Sequence, residues 1–136
     1  MATKQPKLSP DLAQLQQLSG PYPAAAFQFL RDGLEFTVQR IHADGSEPDR
    51  HVSGRQLCHG LREYAIRQFG LLSLDVLEGW NLHRTEDFGR MVFALIELGV
   101  LAKSDEDTLD DFRSVYDFRE AFTADAVRLE LGVCVA

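Results

Sequence analysis

Thr85-Glu86-Asp87-Phe88-Gly89-Arg90-Met91-Val92-Phe93-Ala94-Leu95-Ile96-Glu97-Leu98-Gly99 decides how this chain folds. A threonine and two acids suit the positive end of a helix dipole. Phe88, Met91, Val92, Leu95, Ile96 and Leu98 follow at helical spacing, and Gly99 is placed to end the run. So dense an apolar face predicts the most buried helix of the protein, with other helices wrapped around it.

Working back toward the N-terminus, Ser73 is a candidate cap for a short helix through Val76, Leu77 and Trp80, and Asn81 to Arg84 form the turn between the two helices. Ser53 stands three residues before Gln56, a capping-box spacing, ahead of Leu57, Leu61, Ala65 and Phe69, with Gly70 as the stop. From Pro23, the residues Phe27, Leu30, Leu34, Val38 and Ile41 mark a long helix broadened by Phe29 and Phe36. Ser9-Pro10-Asp11 reads as the start of a short helix that covers the core with Leu12, Leu15 and Leu18. Residues 1–8 have no periodicity and are expected to form a flexible arm.

Beyond the central helix, Val100 to Lys103 and Ser114 to Phe118 could pair as a short hairpin across the acidic loop 104–111. A competing reading makes Thr108 the cap of a helical turn running to Arg113. Val127 to Leu131 alternates apolar and charged residues, so the tail 123–136 is expected to be a strand or disordered. The fold class predicted is mainly α (α+β): a single helical domain over 9–122 with a helix-turn-helix-like C-terminal half and a possible hairpin, which is a winged-helix-like order.

That order invites a nucleic-acid reading, and the charges oppose it. The chain carries 21 acidic and 14 basic side chains, net −7. The would-be recognition helix sets Glu86, Asp87 and Glu97 against Arg90, and the would-be wing is more acidic still. A nucleic-acid-associated regulator would read through Arg50, Arg55 and Arg62 instead, of which Arg55 and Arg62, seven residues apart on one helix face, give a small basic strip.

No motif points to catalysis, a cofactor or a metal. His42, His51, His59 and His83 have no i, i+4 pair, the chain has no C-x-x-C, and the acidic loop has Leu109 where a calcium loop needs an oxygen ligand. Ser53 and Ser73 are better used as caps than as nucleophiles, and there is no Gly-rich phosphate loop. An enzyme would need Arg50, His51 and Asp87 to converge. Aromatics and arginines outside the apolar stripes leave a candidate interaction surface of Arg50, His51, Arg55, Arg62, Trp80, Arg84 and Tyr116. The function expected is a non-catalytic acidic protein-protein interaction module that binds a protein partner or itself. A cytoplasmic location is expected, with no membrane segment, because no run approaches the ~18 apolar residues a span needs.

Arg50-His51-Val52-Ser53-Gly54, the stretch ending in Phe69-Gly70, Thr85-Glu86-Asp87-Phe88-Gly89 followed by Val92-Phe93, and the stretch from Asp110-Asp111-Phe112 to Asp117-Phe118 form a distinctive set. Over about residues 22–122 the chain resembles a small family of uncharacterised proteins restricted to Planctomycetes and Verrucomicrobia. The resemblance implies a bacterial, free-standing single-domain protein, with 1–21 and 123–136 as appendages. It implies no activity and no site residue.

Overall fold

The computed structural model describes residues 1–3, 11–43 and 51–132, and it is mainly helical. Its helices are α1 (Leu12–Ser19), α2 (Ala24–Ile41), α3 (Gly54–Phe69), α4 (Ser73–Gly79), α5 (Thr85–Glu97), α6 (Phe118–Ala121) and α7 (Ala124–Glu130). Short 3-10 turns occupy Gly70–Leu72 and Leu109–Phe112. Two-residue strands β1 (Ala2–Thr3) and β2 (Leu101–Ala102) pair antiparallel, Ala2 opposite Ala102.

α5 is the hub. Thr85, Asp87, Phe88, Gly89, Met91, Val92, Ala94 and Leu95 are all buried, under α1, α2, α3 and the 109–112 turn. Its C-terminus closes as expected: Gly99 takes φ +78°, which a side chain would strain, and Val100 N–H returns to the Leu95 carbonyl at 2.9 Å.

α2 and α3 cross closely because each offers a glycine. A Cβ at Gly60 would lie 1.8 Å from Thr37 Oγ1, and one at Gly33 would lie 2.3 Å from Leu61 Cδ2. Phe29, Leu30, Leu34 and Val38 of α2 and Leu57, Leu61, Ala65 and Ile66 of α3 are all buried, while Ile41 is 40% exposed. Phe112 fits a third close approach: its ring lies against Gly54 and Gly89, where added Cβ atoms would meet it at 2.8 and 2.9 Å. One cluster of buried residues runs from Met1 to Val127.

Caps follow the expected chemistry with shifts. Ser53 and Gln56 form the capping box of α3, at 2.8 and 3.1 Å. Asp11 caps α1 by accepting from Ala13 N–H at 3.0 Å. Ser73 does not cap α4; it is the first residue of that helix, and its hydroxyl donates to the carbonyls of Ala65 and Gly70. Thr85 likewise lies inside α5, and its hydroxyl donates to the Phe112 carbonyl at 2.7 Å and accepts from Val115 N–H at 3.1 Å.

That clip removes the expected hairpin. With Phe112 inserted between glycines and 112–115 fastened to Thr85, segment 114–118 cannot lie beside 100–103, so β2 takes β1 as its partner instead. The helical-turn reading of 108–113 holds, with Asp111 accepting from Thr108 N–H at 3.1 Å. Nor does the start of the chain form a free arm throughout. Met1 is 1% exposed, and its ammonium donates to the Val52 carbonyl and the Asp107 carboxylate, each at 2.8 Å. The expected tail strand is helix α7: Thr123 caps it by accepting from Ala126 N–H, and only Val127 is buried. The alternation of Val127, Leu129 and Leu131 has no buried sheet to serve, and Leu129 is 81% exposed.

Candidate interaction groove

Two adjoining hollows lie where loop 113–117 and α6 meet α3 and the start of α5. The larger, about 650 Å3, is lined by His83, Arg84, Glu86, Ser114, Tyr116, Asp117, Phe118 and Glu120. The second, about 510 Å3, is lined by His59, Arg62, Val115, Tyr116, Asp117, Glu120 and Ala121. They share Tyr116, Asp117 and Glu120, so together they make one open groove with an aromatic floor and charges of both signs on its walls.

Each lining group has a structural origin. Arg84 is the exposed residue immediately ahead of α5, positioned because Asp87 accepts from the backbone N–H groups of His83 and Arg84 at 2.8 and 3.2 Å. Asp87 is itself held from below by the Tyr22 hydroxyl at 2.6 Å, and burial together with this carboxylate pushes the Tyr22 phenol well above its usual range. Tyr116 donates to the Cys58 carbonyl at 2.7 Å and stacks on Phe118 with centroids 5.9 Å apart. Burial raises the Tyr116 phenol far beyond neutral pH, so it serves as a neutral platform. Asp117 caps α6 by accepting from Arg119 and Glu120 N–H. Ser114, an exposed residue in the groove wall, takes φ +46°, a conformation that costs a non-glycine residue about 1 kcal/mol or more and is held here by the Thr85 clip.

Of the seven residues singled out from sequence, Arg84 and Tyr116 line the larger hollow and Arg62 lines the smaller. Arg62 is already engaged, with Nε donating to the Ala121 carbonyl at 3.2 Å and the guanidinium 3.6 Å from Glu130. It therefore cannot pair with Arg55, which is exposed, as a free basic strip. Trp80 belongs to a half-buried aromatic cluster, 5.5 Å from Phe29 and 5.7 Å from Phe69. His51 lines a separate hollow beside Met1 and Asp107, and Arg50 lies outside the described residues. Asp87 is buried in the first turn of α5 and lines none of the described hollows, so it does not converge with His51.

Glu86, Asp117, Glu120, Ser114 and His59 complete the groove without having been singled out for it. The signal for the acids was the acidic excess of the chain as a whole. Nothing in the sequence indicated that loop 113–117 would fold back over α3.

Among the described residues no cluster of three or more His, Cys, Asp or Glu side chains could hold a metal ion, and no helix is long and apolar enough to cross a membrane. Cys58 is buried and unpaired, and that burial pushes its thiol up to about 12, with Arg55 opposing and Glu86 adding to the shift. Comparison of the chain with protein-family models, with curated proteins and with solved structures finds no match in any of the three.

Proposed function

We propose that this is a non-catalytic interaction module whose groove at residues 113–121 receives an extended segment of a partner protein. The observation that carries the reading is the continuity of the two hollows across Tyr116, Asp117 and Glu120. An elongated, open, polar groove with aromatic rings at its centre has the anatomy of a protein contact, whereas small-molecule sites are more enclosed and more apolar. Glu86, Asp117 and Glu120 outnumber Arg84, the one lining arginine not held in an ion pair among the described residues, and the chain is acidic overall, so a basic segment is the favoured occupant.

The nucleic-acid alternative fares worse on this architecture. The helix that would enter a DNA groove is α5, which has most of its residues buried in the core. A cytoplasmic setting is part of the proposal, since a buried thiol of high pKa suits a reducing compartment. Kinship with the planctomycete and verrucomicrobial family is likewise proposed, and it assigns no chemistry to the groove.

The test is affinity capture from nuclease-treated lysate of the source organism, comparing the chain with a Glu86→Lys/Glu120→Lys variant. The expected result is a partner retained by the parent, resistant to nuclease and lost from the variant. Identical sets of captured proteins, or loss of all of them with nuclease, would contradict the proposal.

A further inference from the structure

A further hollow, outside the groove and the one beside His51, has the opposite chemistry. It measures about 230 Å3 and lies where α1 and α2 diverge over α5. Leu15, Phe27 and Leu95, all buried, form its floor, and Leu12, 37% exposed, stands at its mouth. Phe27, Gln28 and Arg31 fall on one face of α2 by their three- and four-residue spacing, which brings an amide and a guanidinium to the rim of an apolar pit.

Arg31 is the sole charged residue in that lining. It is half-buried, and among the described residues it makes no hydrogen bond or ion pair. Asp32, its neighbour, accepts from Gln28 Nε2 at 2.9 Å, and Asp11 is occupied as the cap of α1; neither lines the hollow. A guanidinium left without a counter-ion in a protein of net charge −7, beside an apolar pit, is matched by an anion with a short hydrocarbon tail.

We infer that this hollow is a binding site for a small free carboxylic acid, its tail on Leu15, Phe27 and Leu95 and its carboxylate on Arg31. The volume is below that of sites for drug-sized ligands, which fits a chain of a few carbons.

Amide-shift titration of the full chain with hexanoate tests this, with hexylamine as the charge-reversed probe. Hexanoate should give saturable shifts confined to α1, the first half of α2 and the Leu95 turn, with Kd on the order of 1 mM for so few atoms. Arg31→Gln should weaken binding about tenfold, as loss of a charged hydrogen bond does, while Arg31→Lys recovers part of it and both variants keep the parental melting temperature. Equal binding of the amine, indifference to Arg31→Gln, or no saturable shift would each overturn the inference. None of these results bears on the groove at 113–121.

Discussion

The seat of α3 on α2 and the seat of α7 on α3 are both helix contacts, yet they are built in opposite ways. α2 and α3 interlock: Gly33 and Gly60 let Leu61 and Thr37 occupy the space where side chains would otherwise stand, and Thr37 is fixed by its bond to the Gly33 carbonyl at 2.7 Å. α7 is moored instead, by one buried valine and by Arg62, which reaches Ala121 and Glu130. The first contact tolerates no added atom. The second adds one side chain, Val127, to the edge of the core, and it borders the groove through Arg62 and Ala121.

Breaking the interlocked side should give the largest effects. Phe112→Ala empties the slot between Gly54 and Gly89 and should cost about 3–5 kcal/mol in chemical denaturation. Gly60→Val drives atoms into Thr37 and should cost on the order of 1–3 kcal/mol or more, with a smaller loss for the same change in a Thr37→Ala background, where the Oγ1 and Cγ2 overlaps are gone and the 2.7 Å approach to Cβ remains. On the moored side, Val127→Ala should cost about 1–2 kcal/mol at most. Amide exchange would sharpen the contrast, because α7 should lose protection while α2 and α3 keep theirs.

The Met1 ammonium and Asp107 form a third kind of contact. Burial alone would raise the Asp107 carboxyl, but hydrogen bonds from that ammonium and from Ser104 N–H outweigh it and hold the group below the usual range. A depressed carboxylate stabilises the fold above its unfolded value of about 4, and that contribution fades as pH falls through the lower folded value. Asp107→Asn should therefore lower the melting temperature at pH 7 and flatten its dependence on acid. The smallest effect belongs to Leu129→Ser, expected within about 0.5 kcal/mol because that side chain is 81% exposed.

Elements with their own periodicity and caps were legible in the sequence. α2, α3 and α5 follow from stripes of Phe, Leu and Val bounded by Pro23, Ser53 and Gly99. Segments held by distant side chains were not. The fold-back of 112–117 depends on Thr85, Cys58 and two glycines far away in sequence, and no local pattern encodes a ring slotted between glycines. α7 was misread because a five-residue alternation carries no information when nothing buries it. Arg84 and Tyr116 were found as spare side chains of the types that contacts favour, whereas Trp80 has the same composition signal and a packing role.

The claim that the groove is the contact face is tested most directly by a photo-crosslinking residue placed at Glu120, shared by both hollows, with Gln39 on the far exposed face of α2 as the control position. In lysate of the source organism, the account predicts one adduct of defined mass from position 120, absent from position 39 and competed away by unlabelled parent protein. Equal adducts at both positions, or none at position 120 while the protein stays folded, would contradict it.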